Sequence, residues 1–188
     1  MAATPSNMIP LGTLAPDFKL TDTLTDKTLG LSDLPEKKAT VVMFICNHCP
    51  YVKMLLDEIV SVANEYIAKE VNFVAISSND IENYPDDAPD KMKELGESIK
   101  MPFPYLFDET QEVAKAYQAA CTPDFYIFDR DLKCAYRGQF DDARPGNDKA
   151  VTGRDLRKAL NEIIEGKAVS FEQIPSIGCN IKWKKNSQ

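Results

Sequence analysis

The sequence lacks any long apolar run, and it carries fewer basic than acidic side chains. No segment approaches the ~20 apolar residues of a membrane-spanning helix. The start has no basic stretch followed by an apolar one, so a secretory signal is not expected. The 29 acidic and 22 basic residues give a formal charge of −7, which argues against nucleic acid or an anionic membrane surface as the main partner. We therefore expect a cytoplasmic protein.

Histidine and cysteine are also scarce, with one histidine and five cysteines in the chain. A structural zinc ion needs about four nitrogen or sulfur ligands. There is a single Cys-x-x-Cys pair, at Cys46 and Cys49, and no second cluster of that kind. An odd number of cysteines is not typical of a secreted disulfide scaffold. We expect no metal and no other cofactor, and in a reducing compartment a close cysteine pair favours redox chemistry.

What the chain does contain is an alternation of strand-like and helix-like segments. Its 188 residues, 44% of them hydrophobic, are enough for one domain with a sizeable core. We predict a single domain over residues 1–188, with its core at about 10–165. The remaining segment, 166–188, is a C-terminal extension that is too apolar to be wholly disordered.

The secondary structure follows from the spacing of apolar residues. The predicted strands are residues 15–20, 27–31, 40–45, 71–76, 104–108, 123–128 and 133–137, and the predicted helices are residues 50–70, 87–99, 110–117 and 152–165. The first two strands form an N-terminal β-hairpin, and the last two form an antiparallel pair. Strands that alternate with helices predict an α/β sandwich, in which helices flank a central mixed β-sheet.

The motif Cys46-Asn47-His48-Cys49 lies between the apolar run 40–45 and the predicted helix 50–70. A Cys-x-x-Cys at the junction of a buried strand and a helix is the placement of a redox dithiol. The free N–H groups and positive dipole end of the helix stabilise a thiolate. His48 as an imidazolium would add a further cation, whereas the uncharged Asn47 would add little.

Three motifs together resemble the thioredoxin superfamily. They are Ala15-Pro16-Asp17-Phe18, the strand that ends in the Cys-x-x-Cys, and Thr122-Pro123-Asp124 before a strand. The sequence is most similar to the redoxin branch, of the alkyl hydroperoxide reductase and thiol-specific antioxidant type, over residues 10–165. The resemblance implies a thioredoxin-like three-layer sandwich and an oxidoreductase activity.

The resemblance also implies roles for individual residues. Pro123 would follow a cis peptide bond and face the dithiol, with the backbone of Thr122 beside Cys46; the alternative is an ordinary trans proline that opens a strand. Cys46 would be the attacking thiol, partly exposed at the helix N-cap. Cys49 would lie in the first turn, more buried, and would resolve the mixed disulfide.

The other three cysteines have less definite roles. Cys121 lies two residues before Pro123 and is either a third redox thiol or a small buried hydrophobe. Cys134 falls in a predicted strand, which favours a structural role. No spacing argument places Cys179, which lies in the apolar tail.

Three functions remain open at this point. The first is a thiol–disulfide oxidoreductase acting on protein or small-molecule thiols and disulfides, with thioredoxin or glutathione as a possible reductant. The second is a peroxiredoxin-like peroxidase, although the proline and hydroxyl residues that precede the peroxidatic cysteine in that family are replaced here by Ala39 and Met43. The third and least favoured is a metal-binding redoxin.

Overall fold

The computed structural model describes residues 3–185. Its strands are β1 (Ala3–Pro5), β2 (Lys19–Asp22), β3 (Thr28–Gly30), β4 (Ala39–Phe44), β5 (Val71–Ser77), β6 (Tyr105–Phe107), β7 (Cys121–Thr122), β8 (Asp124–Asp129), β9 (Cys134–Gly138) and β10 (Ile177–Asn180). Its α-helices are α1 (Pro50–Ile67), α2 (Pro89–Ser98), α3 (Glu112–Ala116) and α4 (Arg154–Ile164). No helix in this range is long and apolar enough to cross a membrane.

Seven strands form the main sheet, in the order β3-β2-β6-β5-β4-β8-β9. Strand β5 pairs in parallel with both β4 and β6, whereas β8 pairs antiparallel with β4 and β9. The sheet is therefore mixed, as the sequence predicts. The predicted N-terminal hairpin is β2-β3, and it joins the main sheet through an antiparallel pairing of β2 with β6.

The central strand β4 separates two apolar cores. All six of its residues are buried, because the strand lies between β5 and β8 and has helices above and below it. Successive side chains point to opposite faces of a strand, so Val41 and Met43 enter the core beneath α1, α2 and α4. Val42 and Phe44 enter the second core, which α3 and the N-terminal segment cover. This packing fixes the end of β4, from which the Cys-x-x-Cys segment emerges.

A second, smaller sheet contains β1, β10 and β7 in that order, all antiparallel. The sequence predicts neither β1 nor β10. Each has only three or four residues, too few for an apolar period to stand out, and Gly178 and Asn180 are residue types depleted in strands. The pairing of β10 with β7 brings the C-terminal segment back to the Thr122-Pro123 region.

Candidate active site

The Cys-x-x-Cys segment connects the end of β4 to the start of α1. Pro50 is the first residue of α1, and Cys49 is its N-cap. Proline favours the first helical position because its φ is already helical and its missing N–H has no partner there. Cys46 and Cys49 are both buried, at 1% and 0% exposure. The prediction that Cys46 is the N-cap and is partly exposed is therefore wrong.

The two sulfur atoms lie against the Thr122-Pro123 peptide bond, which is cis as the resemblance implies. The hydroxyl of Thr122 is 3.3 Å from Sγ of Cys46, and its carbonyl oxygen is 3.2 Å from Sγ of Cys49. Sγ of Cys179, on β10, lies 2.9 Å from Sγ of Cys49. All five cysteines are free thiols. The site is thus a group of three buried thiols around one threonine.

Hydrogen bonding favours a thiolate on Cys49. The Cys46 thiol lowers the pKa of Cys49 most, the Cys179 thiol and the backbone N–H of Val52 lower it further, and burial opposes them, which leaves the pKa at about 4. The Thr122 carbonyl also works against the thiolate, because it accepts a hydrogen bond only from the protonated thiol. The pKa of Cys46 is raised by the same sulfur–sulfur interaction, by burial and by the charge of Asp87. Negative charge at Cys49 also faces the positive end of α1.

A buried carboxylate anchors the segment between the two cysteines. Asp87, which is fully buried, accepts hydrogen bonds from the backbone N–H groups of Asn47 (2.8 Å) and His48 (3.1 Å). Its second oxygen contacts Nδ1 of His48 at 2.5 Å and Nδ2 of Asn79 at 2.8 Å. Sequence reasoning missed this residue, because an acid before Pro89 is also typical of a helix start.

The side chains of His48 and Asn47 make their hydrogen bonds and stacking contacts with groups other than the sulfur atoms. The His48 ring stacks on Tyr84 with its centroid 5.3 Å away, and its Nδ1 faces Asp87. An imidazolium at this position is paired with a carboxylate, so it offers the thiolate less net charge than an isolated cation would. The Asn47 side chain donates to the carbonyl of Asp86 and accepts from the hydroxyl of Tyr105. Both residues therefore fix the backbone between the cysteines.

Cys121 and Cys134 are buried outside the group of three thiols. Sγ of Cys121 points to the carbonyl of Pro123 at 3.6 Å, and burial raises the pKa of its thiol far above the ordinary value. Cys134 lies in β9, and burial raises its pKa to about 11. Burial thus favours the protonated thiol at both positions, where each side chain packs as a small apolar group.

Three side chains at the site could in principle face one metal ion. The ligand atoms of Cys46, His48 and Asp87 lie within 4.8 Å of one another. A closed zinc site needs about four ligands, and both oxygens of Asp87 already accept hydrogen bonds from the surrounding segment. The arrangement of Cys46, His48 and Asp87 therefore fits an anchored loop better than a metal centre.

Comparison with known proteins gives matches for family and fold. Residues 11–137 match the AhpC/TSA family, and none of the curated proteins matches the chain. The crystal structure of an uncharacterized conserved protein from Geobacillus kaustophilus is 58% identical, with a TM-score of 0.97 over 100% of this chain and 99% of that one.

Two more distant structures share the fold. The thioredoxin domain of a thiol–disulfide oxidoreductase from Bacteroides vulgatus is 17% identical, with a TM-score of 0.62 over 82% of this chain and 100% of that one. A peroxidoxin from Mycobacterium tuberculosis is 19% identical, with a TM-score of 0.62 over 83% of this chain and 96% of that one. The predicted thioredoxin-like α/β fold is confirmed.

Proposed function

The chain belongs to the AhpC/TSA family, and we propose that it is a thiol–disulfide oxidoreductase in which Cys46 and Cys49 cycle between dithiol and disulfide. The observation that carries this proposal is the hydrogen bonding around Cys49. The thiols of Cys46 and Cys179 and the backbone N–H groups of Val52 and Cys179 surround its sulfur at the N-terminus of α1 and lower its pKa, and a thiolate is the nucleophile in disulfide exchange. Cys46, a second thiol three residues away, is placed to resolve the mixed disulfide that forms at Cys49.

The reaction follows from these positions. The Cys49 thiolate attacks one sulfur of a substrate disulfide, a Cys49–substrate bond forms, and the other half leaves as a thiolate that takes up a proton. Cys46 then loses its proton and attacks Sγ of Cys49, which releases the second half of the substrate as a thiol. The substrate disulfide gains two electrons and two protons, and Cys46 and Cys49 become a disulfide. The reverse sequence oxidises substrate thiols.

Cys49 thus takes the attacking role that the sequence analysis gave to Cys46. The reason is local: Cys49 is the N-cap of α1 and receives the donors, whereas the interaction with Cys49, burial and the charge of Asp87 together raise the pKa of Cys46. Thr122 packs against both sulfur atoms and holds them on one side of the cis peptide bond. Substrates are disulfide- or thiol-containing proteins or small molecules, and thioredoxin or glutathione is a candidate reductant.

Trapping of the mixed disulfide tests this assignment. In a Cys179→Ser background, which removes the other thiol beside Cys49, the Cys46→Ser variant should accumulate a covalent adduct at Cys49 when a disulfide such as oxidised glutathione is supplied, because no neighbouring thiol releases it. Cys49→Ser should form no adduct at Cys46, and Cys134→Ser, a buried cysteine outside the site, should behave as the wild type. Mass spectrometry of the intact proteins reads the adduct. An adduct that requires Cys46 and not Cys49 would reverse the two roles.

A thiol peroxidase is the second candidate, and one contact favours it. The Thr122 hydroxyl lies 3.3 Å from Sγ of Cys46, so a hydroxyl that the local sequence around Cys46 lacks is supplied from β7. In this alternative the Cys46 thiolate attacks one oxygen of a peroxide, the O–O bond breaks, and the other oxygen takes up a proton and leaves as water or an alcohol. Cys46 is then a sulfenic acid, with which the Cys49 thiol condenses to form the 46–49 disulfide and water. Rapid peroxide consumption in stopped flow that is lost in both Cys46→Ser and Thr122→Val would favour the peroxidase.

A further inference from the structure

Strand β10 approaches the active site more closely than a side chain would allow. Its Cys179 pairs with Thr122 of β7 in antiparallel register. At the preceding residue, Gly178, a Cβ atom would lie 1.9 Å from the carbonyl oxygen of Thr122, well inside van der Waals contact. Glycine at this position is what lets β10 lie against the Thr122-Pro123 backbone. The strand covers the sulfur atoms and presents Cys179 to them.

The sulfur of Cys179 is within a short movement of bonding distance to Cys49. The two Sγ atoms are 2.9 Å apart, and a disulfide bond is about 2.05 Å long. Cys179 is buried, at 3% exposure, so its contact is with Cys49 and not with solvent. Cys121, the neighbouring thiol on β7, points instead to the carbonyl of Pro123.

We propose that Cys179 is a third redox thiol, which exchanges with the Cys46–Cys49 disulfide to form a Cys49–Cys179 disulfide. The inference rests on the proposed function, because the first disulfide arises from substrate turnover. Cys179 loses its proton and attacks Sγ of Cys49; the 49–179 bond forms, the 46–49 bond breaks, and Cys46 leaves as a thiolate that takes up a proton. No electrons are gained or lost overall. The second disulfide links β10 covalently to the start of α1.

The order of events follows from the charge on Cys49. In the reduced protein, burial and the neighbouring Cys49 raise the pKa of Cys179 to about 12, so Cys179 stays protonated and donates to the Cys49 thiolate. Once Cys49 is in a disulfide it carries no charge. Its contribution to the raised pKa of Cys179 then disappears, and Cys179 loses its proton more readily. Exchange therefore starts only from the oxidised protein. It closes the site by fixing β10 over it, and a reductant must open the 49–179 bond before another turnover.

Disulfide mapping tests this proposal on the full chain. Trypsin leaves Cys46 and Cys49 together in residues 39–53 and Cys179 in residues 168–182. The 46–49 disulfide therefore gives a single peptide that is lighter by two hydrogens than its reduced form. The 49–179 disulfide gives a cross-linked pair of peptides. The protein is oxidised with excess oxidised glutathione, quenched with acid, alkylated and digested. The wild type should give both species, Cys46→Ser only the cross-linked pair, and Cys179→Ser only the single peptide.

The matched control is Cys134→Ser, which should give both species in wild-type proportions. A wild type that forms the 46–49 disulfide without any cross-linked pair would overturn the role of Cys179 and leave the proposed function standing, and a Cys46→Ser variant that holds only glutathione on Cys49 would agree with that outcome. Absence of both disulfides in the wild type would instead count against the proposed function itself. Because the wild type alone separates these outcomes, the test does not depend on the folding of a variant.

Discussion

Replacement of Asp87 by asparagine should destabilise the protein without altering any sulfur atom. One carboxylate oxygen accepts the backbone N–H groups of Asn47 and His48, and the asparagine oxygen can keep both bonds. The other position becomes an NH₂ group, which faces Nδ1 of His48 and the amide of Asn79. A neutral His48 can accept from it, but the Asn79 contact becomes donor against donor. Loss of one hydrogen bond to a charged group and weakening of a second should lower the free energy of unfolding by about 3 kcal/mol.

Urea unfolding of the reduced protein, followed by circular dichroism, measures this change. Asp86→Asn is the matched control, because Asp86 precedes Asp87 and its side chain is exposed; its effect should stay within about 0.5 kcal/mol. A loss of less than about 1 kcal/mol in Asp87→Asn would contradict the reasoning, since an unsatisfied buried donor alone costs about that much.

Three further predictions follow from the same structure. The thiolate absorbance of the reduced protein should appear near pH 4 and vanish in Cys49→Ser; a transition only near the ordinary value of 9.0 would contradict it. Burial raises the pKa of Asp124 to about 7 from 3.8, so the native state holds its proton more tightly than the unfolded state, and stability falls as pH rises between those values. Between about pH 5 and about pH 8 the free energy of unfolding measured in urea should fall by roughly 3 kcal/mol less in Asp124→Asn than in the wild type. An unchanged dependence of the unfolding free energy on pH would refute this. Gly178→Ala should push β10 off Thr122 and speed alkylation of Cys49 by iodoacetamide, whereas an unchanged rate would mean that β10 does not shield the sulfur.

The sequence predicts the parts of the fold whose signals are local. The apolar run of β4 and the helical spacing of α1 identify the central strand and helix, and the elements begin and end within a few residues of prediction. The redox motif at their junction is visible for the same reason, whereas the cis bond before Pro123 is expected only from the resemblance to the thioredoxin superfamily. One local detail went wrong by three residues: Pro50 starts the helix, so the N-cap is Cys49 and not Cys46.

The contacts that complete the site join distant parts of the chain. Asp87 is 39 residues from His48, and Cys179 is 130 residues from Cys49. No spacing pattern reports such a pairing. The short strand β10 that delivers Cys179 also has no apolar period of its own. These two side chains could be placed only once the pairing of β10 with β7 and the turn before α2 were known.

The reduction potential of the Cys46–Cys49 pair tests the central claim most directly. It is best measured in Cys179→Ser, where the competing 49–179 disulfide cannot form, by equilibration with glutathione redox buffers and counting of alkylated thiols by mass. We predict one two-electron transition at a potential above the roughly −270 mV of thioredoxin, because a stabilised Cys49 thiolate favours the reduced form. Absence of a 46–49 disulfide at every glutathione ratio, or a transition at or below that potential, would contradict the account.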